Sequence, residues 1–471
     1  MGDGGAPLPS EPRVCGQLAC QHDSHLRTLE GVRVVSCRRS EHDSTSTPTA
    51  AHDSFEVVLT DTILFPEGGG QPSDTGVMVT TTKERSFRVS SVQNQDGVAV
   101  HRMVVPSSEA MDMPVEVGDM VDVHVDWERR EDNMRQHTAQ HLITACALEI
   151  FNRRTIGWHL GPSLSYLELE PTMSDVNGAS DDARTKKTKK QTKMTQAELA
   201  VLENRVMTYM KEDLAVWPQW IENDSEEMVD IRQKMKARGA PPIPAGVEGP
   251  LRLVTIDSLD VCTCCGTHVK RLSELMAVKI LYAESTPRSS RVWFVAGDRV
   301  LTVLGSAWAQ QRALTTLISV PPEEHMRRCE ALLSTQRSNA KSIKHWQAHA
   351  AKLEVENMLL RWQMSGALVP TRASALHSDE GDKNFVSAAA SAFIDANGGD
   401  TLGSDCILLI TAGKAEGFFA MVAGSADRIQ ELAPEVSRVL EGRGGFSRSV
   451  YTGKATNLRM RAEALAILCD N

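Results

Sequence analysis

Two short motifs, about 120 residues apart, constrain the fold of this chain more than any other feature of its sequence. The first, HTAQH, begins at His137, and the second, CCGTH, ends at His268. Each motif places two metal-ligating side chains four positions apart, His137 with His141 and Cys264 with His268. Four such ligands are the number that a tetrahedral zinc ion takes. The two pairs together predict that distant segments of the chain meet at one zinc ion.

The residues next to these ligands argue against two other kinds of zinc site. A zinc peptidase carries a glutamate directly after the first histidine of such a pair, where it acts as general base, whereas this chain has Thr138. A zinc ribbon would use Cys262 and Cys265 as one CxxC pair, but the chain has no second CxxC to complete it. The sequence therefore favours the His/His and Cys/His pairing over both alternatives.

Composition limits the class of protein. A length of 471 residues predicts more than one domain, and the net charge of −10 argues against indiscriminate nucleic-acid binding. No apolar run is long enough to span a bilayer, and the N-terminus lacks the features of a signal peptide. The ten cysteines are scattered rather than spaced as a disulfide framework. We therefore expect a cytoplasmic protein without membrane association.

Hydrophobic periodicity predicts an α+β fold. Short alternating apolar runs precede Trp127 and are typical of a β-barrel or sandwich, whereas the residues that follow Trp127 have the period of a helix that carries His137 and His141 on one face. The predicted segments are a disordered N-terminus at 1–19, a β-barrel-like domain at 20–126, an α/β zinc-binding domain at 127–305, a helical spacer at 306–365 and a small α/β domain at 366–471.

Two segments leave alternatives open. The polar stretch at 173–195 is predicted to be a disordered insertion, and its lysine-rich part at 184–190 fits a nuclear signal, an RNA-touching arm or a solvated loop. Residues 323–363 lack Gly and Pro and predict an extended helix with a weak heptad seam, which leaves the oligomeric state undecided.

A third motif, FPEGGGQP, begins at Phe65. Three consecutive glycines permit backbone conformations and close approaches that other residues resist. The motif fits a tight hairpin of the β-domain as well as a functional loop. It is not a P-loop, since no Gly-Lys-Ser/Thr follows.

Taken together, FPEGGGQ, HTAQH and CCGTH resemble the motifs of the alanyl-tRNA editing proteins, which are free-standing relatives of the alanyl-tRNA synthetase editing domain. The resemblance covers about residues 20–304. The glycine-rich segment at 441–455 resembles part of the C-terminal tRNA-binding domain of that synthetase. Where the family usually has CGGTH, this chain has Cys265 in place of the first glycine, which adds a second sulfur beside Cys264.

The resemblance implies that 127–305 is an editing domain with Zn²⁺ as cofactor, bound by His137, His141, Cys264 and His268. It implies an aminoacyl-tRNA deacylase, a carboxylic ester hydrolase that acts on mischarged Ser-tRNA(Ala), with Gly-tRNA(Ala) as a further substrate to test. The partner is then mischarged tRNA(Ala), and neither aminoacylation nor ATP use is expected.

The side chains that contact the amino acid or the water are less constrained by the motifs. Gln71, Thr155 and His159 are the candidate catalytic residues. Four protein ligands saturate a tetrahedral zinc, so the sequence leaves open whether the ion activates water or positions the substrate.

Two other functions use the same ligands. One is a non-catalytic, zinc-stabilised tRNA-binding or scaffold protein. The other is editing of a different aminoacyl-tRNA, because threonyl-type editing domains share the HxxxH arrangement. The PEGGGQ segment favours the alanyl type.

Overall fold

The structure is a computed structural model that describes residues 11–40, 52–82, 84–106, 113–171, 193–237, 249–364, 373–396, 406–423, 426–447 and 450–470. The chain divides into two compact units, Met1–Gln310 and Gln311–Asn471. The lysine-rich run at 184–190 lies outside the described residues, as does most of the insertion predicted at 173–195. Among the described residues no helix is long and apolar enough to cross a membrane.

A closed six-stranded barrel forms the N-terminal part of the first unit. A short helix α1 (Ala19–His22) precedes it. The barrel strands, in chain order, are β1 (Thr28–Arg39), β2 (His52–Leu59), β3 (Gly76–Thr80), β4 (Ser86–Gln95), β5 (Val98–Pro106) and β6 (Met120–Val125). Their spatial order is β1-β2-β5-β4-β3-β6, and β1 also pairs with β6, which closes the sheet. Of the barrel and sandwich predicted from sequence, the structure shows the barrel.

Alternating side chains fill the barrel. Val32 and Val34 of β1 and Val121 and Val123 of β6 are buried, with polar residues between them. Because successive side chains of a strand point to opposite faces, this alternation gives each strand one apolar face. The apolar faces of all six strands meet in one hydrophobic cluster.

A buried ion pair ties the barrel to the helix that follows it, α2 (Trp127–Phe151). Arg130 of α2 and Asp74, just before β3, are both fully buried, and Arg130 Nε donates to Asp74 Oδ2 at 2.8 Å. The same guanidinium donates to the backbone oxygens of Ser24 and Ile63. Charged groups are stable in such a place only when paired and hydrogen-bonded, so this contact fixes α2 against the barrel.

The rest of the first unit packs around α2. It contains β7 (Arg153–Leu160), β8 (Ser165–Pro171), α3 (Gln196–Glu212), β9 (Val216–Glu222), α4 (Glu226–Ala237), β10 (Pro250–Ile256), β11 (Asp260–Thr263), β12 (Val278–Ser285) and β13 (Ser290–Ala296). One sheet has the order β12-β13-β8-β7 and the other the order β11-β10-β9. The first sheet, α2 and α3 share a core that includes Met134, Leu142, Leu167 and Phe294.

Two helices, α5 (Asp298–Ile318) and α6 (His325–Met364), follow the first unit's last strand, and the division between the units falls within α5. The second unit continues with β14 (Ala373–Ser378), α7 (Lys383–Ala396), β15 (Ile407–Ala412), β16 (Gly417–Ala423), α8 (Ala426–Val439), β17 (Gly442–Ser447), β18 (Val450–Ala455) and α9 (Arg461–Asp470). Its sheet has the order β14-β15-β16-β18-β17. Leu408 packs with α6 and α7, and Leu409 packs with α8 and α9, so helices cover both faces.

Two predicted disordered segments contain ordered residues. Part of 1–19 is held in place, because Cys15 N donates to Gly97 O and Leu18 is buried in the barrel core. At the end of 173–195, Met194 is buried and Thr195 caps α3. Each segment is polar overall but contains one apolar residue, Leu18 or Met194, that is buried in the folded protein.

Candidate metal centre and active-site cavity

Helix α2 supplies the first ligand pair. Asp126 caps its N-terminus by accepting from Arg129 N, and Asn152, with φ +50°, ends it in the left-handed conformation. Residues four apart on a helix lie on the same face. His137 and His141 consequently lie one turn apart, both buried, with ring centroids 5.0 Å apart.

The loop after β11 supplies the second pair. It brings Cys264 and His268 against the buried turn of α2 that carries the first pair, and one nitrogen or sulfur of each of the four residues lies within 4.8 Å of the others. Cys264 Sγ is 3.4 Å from His137 Nε2 and 3.3 Å from His268 Nε2. The structure thus brings together the four side chains that the two motifs predicted to meet.

Each histidine of this cluster has a partner on another ring nitrogen. His137 Nδ1 lies 2.7 Å from Gln71 Oε1, His268 Nδ1 lies 3.1 Å from Thr138 Oγ1, and His141 Nδ1 lies 2.9 Å from Cys262 Sγ. Metal-bound histidines almost always donate their second N–H to such a partner, which fixes the ring and its tautomer. Both motifs therefore sit within a supporting shell that extends to Gln71 in the barrel.

Burial keeps the three histidines neutral. It lowers the pKa of His141 to about 4 and holds the pKa values of His137 and His268 well below their ordinary range, with the neighbouring imidazoles acting in the same direction. Burial also raises the pKa of the Cys264 thiol to about 12. Neutral imidazole is the form that binds a metal, and binding displaces the thiol proton.

The donor set fits zinc. Imidazole nitrogen and thiolate sulfur are ligands that tetrahedral zinc takes, and no hard oxygen donor, as calcium or magnesium would require, belongs to this set of four. A Cβ at Gly266 would lie 2.6 Å from Gln71 Oε1 and still closer to the His137 ring. The second motif therefore needs glycine at this position to seat its ligands against α2.

The sulfur of Cys265 is directed away from the cluster. Cys265 packs at the edge of the barrel core, and its Sγ lies close to Gly68 and Gly69. Only Cys264 has its sulfur next to the imidazole nitrogens of His137 and His268. The geometry therefore makes Cys264, and not Cys265, the candidate thiolate ligand.

The triple-glycine segment forms a tight turn at the same site. Gly68 and Gln71 exchange backbone hydrogen bonds, and Gly69 and Gly70 between them have φ of +55° and +82°. Both central residues of such a hairpin turn need positive φ, which glycine adopts without strain. A Cβ at Gly70 would also lie 3.0 Å from the Trp158 ring. Of the two alternatives considered from sequence, the structure shows the tight hairpin, and it lies against Trp158.

A cavity of about 590 Å³ opens beside the cluster. His141 and Cys264 line it, together with Gly69, Gly70 and Trp158. Sites for small organic ligands usually have volumes of this order. One side of the metal-ligand cluster is therefore next to space that can hold a ligand.

The cavity wall also carries an ordered polar chain. Gln140 Nε2 donates to Thr144 Oγ1 at 2.9 Å, and Thr144 Oγ1 lies 2.8 Å from Thr155 Oγ1. Gln140 is 4% exposed, and its Oε1 has no hydrogen-bond partner among the described residues. A buried acceptor without a partner is costly, which makes Gln140 Oε1 a candidate contact for a ligand.

The candidate catalytic residues are placed differently. Thr155 lines the cavity, whereas Gln71 is fully buried behind His137. The structure does not bring His159 to the cavity: its side chain is exposed against Tyr166. The cause is a bulge in β7 between Thr155 and Gly157, which shifts the alternation of the strand. As a result Trp158, and not His159, turns toward His137.

Sequence reasoning missed Gln140, Thr144 and Cys262. Gln140 and Thr144 follow His137 at spacings that put them on the same side of α2 as His141. This helical periodicity could have identified them from the sequence. Cys262 was weighed only as a metal ligand, and no local pattern indicated that it would contact His141.

Parts of the chain match domain models of tRNA synthetases, and the whole chain is similar to known proteins. Residues 32–129 match the model of class II (A) tRNA synthetases, and residues 251–296 match the second additional domain of threonyl and alanyl tRNA synthetases. The chain is 32% identical to alanyl-tRNA editing protein Aarsd1 of Mus musculus over 461 residues, which cover 96% of this chain and 97% of that protein.

Two further relatives show how widely the similarity extends. Putative alanyl-tRNA editing protein alaX of Saccharomyces cerevisiae is 26% identical, with 96% of each chain covered. Alanine–tRNA ligase of Halobacterium salinarum is 28% identical over 74% of this chain but only 34% of the ligase. The chain belongs to the alanyl-tRNA editing protein family.

Proposed function

We propose that this protein is a zinc-dependent deacylase that hydrolyses the ester of mischarged Ser-tRNA(Ala), with Gly-tRNA(Ala) as a second substrate, and that it neither aminoacylates tRNA nor uses ATP. The observation that carries the proposal is that two members of the four-residue cluster, His141 and Cys264, line the 590 Å³ cavity. A purely structural zinc site has no need of an adjoining cavity that can hold a ligand.

The residues of the cluster have distinct roles in this proposal. His137, His141, Cys264 and His268 hold the zinc ion, and Gln71, Thr138 and Cys262 orient the three imidazoles. Zinc bound there would position the substrate and act as a partial Lewis acid toward the ester carbonyl. Gln71 is accordingly a positioning residue rather than a catalytic one, because it is fully buried against His137 and does not line the cavity.

The polar chain on the cavity wall explains why the protein would prefer a seryl over an alanyl ester. Serine differs from alanine by one hydroxyl, and Gln140 Oε1 is a buried acceptor that this hydroxyl can satisfy. Alanine leaves that oxygen without a partner, at a cost of about 1–3 kcal/mol. A site built around a substrate hydroxyl discriminates better than one that selects by size alone. Thr144, which is itself hydrogen-bonded to Thr155, holds the Gln140 amide in place.

Other features of the chain are compatible with this function. All ten cysteines are free, as expected in a reducing compartment such as the cytoplasm. In the second unit, β17 and β18 pair as a hairpin that carries Arg443 opposite Lys454. We assign this basic pair to tRNA phosphate contact, since lysine and arginine supply most such contacts.

A panel of charged tRNAs tests the proposal. Metal-replete protein is expected to deacylate Ser-tRNA(Ala) faster than Ala-tRNA(Ala) and faster than Ser-tRNA(Thr), and to show no alanine-dependent ATP–pyrophosphate exchange. Preference for Ser-tRNA(Thr) would establish threonyl-type editing instead. Full zinc content without cleavage of any substrate would identify the protein as a zinc-stabilised tRNA-binding scaffold.

A further inference from the structure

Two side chains outside all three motifs donate hydrogen bonds to the backbone of the loop that carries Cys264. Gln21, in α1, donates from Nε2 to the backbone oxygen of Cys265 at 2.9 Å. Arg252, in β10, donates from Nη1 to the backbone oxygen of Cys264 at 2.5 Å. Two consecutive carbonyls, one of them belonging to the thiolate ligand, are thus fixed by residues 231 positions apart in the chain.

The side chain of Arg252 is also bonded to the backbone of Gln21. Arg252 Nε and Nη2 both donate to the backbone oxygen of Gln21, at 3.2 and 3.1 Å. The planar guanidinium therefore spans Gln21 O and Cys264 O at once, which the fixed fork of arginine allows and a lysine ammonium does not reproduce. We call Gln21 and Arg252 the clasp.

The clasp is itself rigidly supported. Gln21 is 1% exposed, and its Oε1 accepts from the backbone of Gly16 at 2.6 Å and of Leu18 at 3.1 Å. Trp220 Nε1 donates to Gly16 O at 2.9 Å, and its ring stacks on His22. The amide of Gln21 is consequently fixed in orientation, with its NH₂ group directed at Cys265 O.

Arg252 is unusual among the buried charges of the described chain. It is 8% exposed, yet no carboxylate in the described residues pairs with it, and its guanidinium donates to the backbone carbonyls of Gln21 and Cys264. By contrast, buried Arg130 has Asp74 as counter-ion. Burying a guanidinium without a carboxylate costs free energy, so a role at the neighbouring loop accounts for its position better than fold stability does.

We infer that Gln21 and Arg252 are positioning residues of the metal centre, which hold the Cys264–Cys265 backbone so that Cys264 Sγ lies against His137 and His268. The inference deepens the proposed function and rests on its metal centre. Removing partners that orient a metal ligand typically weakens metal binding about 10–100-fold, and we expect losses of this size when either half of the clasp is removed.

The test measures zinc affinity by competition with a chromophoric chelator, on the full chain and without tRNA. The variants are Gln21→Met, which keeps the side-chain volume, and Arg252→Lys, which keeps the charge. The matched control is Arg299→Lys, because Arg299 also joins two segments, through Gly161 O and Asp132, but does not touch the ligand loop. Cobalt replaces zinc in a second readout, in which the thiolate-to-cobalt charge-transfer band reports the Cys264 ligand.

The expected result is a loss of zinc affinity of about 10–100-fold in both clasp variants, with a weakened charge-transfer band, while Arg299→Lys binds zinc like the wild type. Wild-type affinity and spectrum in both folded clasp variants would overturn the inference. Its failure is separate from that of the proposed function: a wild type that binds zinc but cleaves no aminoacyl-tRNA refutes the function alone, and clasp variants that match Arg299→Lys refute the clasp alone.

Discussion

Gln71 sets the tautomer of His137. Gln71 Oε1 accepts from the backbone N–H of Thr267 at 3.1 Å, and Gln71 Nε2 donates to Thr267 Oγ1 at 2.8 Å, which fixes the orientation of the amide. The same oxygen lies 2.7 Å from His137 Nδ1, so Nδ1 must carry the proton. Nε2, on the side of Cys264, is then left with its lone pair free for a metal. The last residue of the glycine-rich motif thereby connects both ligand pairs.

Replacing Gln71 tests this relationship. In Gln71→Met, His137 loses its acceptor and Thr267 loses both contacts, so we expect zinc affinity to fall about 10–100-fold. Exposed Gln93→Met, in the same barrel, serves as control and should bind zinc like the wild type. Chelator competition measures both. Equal zinc affinity in the two variants would show that Gln71 does not orient a metal ligand.

Gly266 is expected to tolerate no side chain. In Gly266→Ala the added Cβ meets Gln71 Oε1 at 2.6 Å and the His137 ring at a shorter distance, so the ligand loop must move away from α2. Zinc content by atomic absorption should fall with deacylation activity. Gly305→Ala is the matched control: it lies in α5 with open space around its Cβ position, and the change should stabilise the helix by up to about 1 kcal/mol. A Gly266→Ala protein with full zinc content would contradict the packing described for this loop.

Gln140 is expected to control discrimination between serine and alanine. Gln140→Leu removes the buried acceptor, so the ratio of kcat/KM for Ser-tRNA(Ala) to that for Ala-tRNA(Ala) should fall by roughly 5–150-fold, the equivalent of about 1–3 kcal/mol. Zinc content should stay at the wild-type level, because Gln140 does not touch the four ligands. An unchanged ratio would mean that the serine hydroxyl is recognised elsewhere.

His101 makes the barrel sensitive to acid. It is fully buried between Val57 O and Thr62 Oγ1, and burial lowers its pKa from 6.5 to about 4. Between these values the unfolded chain binds a proton that the folded chain does not, so stability falls as the pH falls from 6.5 to 4. The loss at pH 4 amounts to at most about 3 kcal/mol.

The variant His101→Asn isolates this contribution. Denaturant unfolding of zinc-loaded wild type and variant from pH 7 to pH 4 should show a steeper loss of stability in the wild type. Parallel curves for the two proteins would show that His101 does not titrate between the folded and unfolded states as described.

Local patterns in the sequence were sufficient for individual helices. The Gly- and Pro-free stretch at 323–363, predicted as an extended helix, corresponds to α6. The helical period of α2 placed His137 and His141 on one face. Such features depend on neighbours within a few residues, and propensity and periodicity report them directly.

Contacts between distant segments were not predictable in this way. The bulge in β7 exchanges the faces of Trp158 and His159, and a single extra residue in a strand leaves little trace in its composition. The pairing of Gln71 with His137 joins residues 66 positions apart, and the clasp joins residues 231 apart. The supporting shell of the metal centre depends on how the barrel docks against α2, which no local pattern specifies.

Zinc-dependent cleavage of Ser-tRNA(Ala) tests the central claim most directly. Purified protein is stripped with a chelator, dialysed and assayed for deacylation of Ser-tRNA(Ala) and Ala-tRNA(Ala), before and after one equivalent of zinc is restored, with His137→Ala in parallel. We predict that stripping abolishes Ser-tRNA(Ala) cleavage, that zinc restores it in the wild type but not in His137→Ala, and that the zinc-loaded wild type cleaves Ala-tRNA(Ala) more slowly than Ser-tRNA(Ala). Equal cleavage by stripped and zinc-loaded protein, or full activity in His137→Ala, would contradict the account.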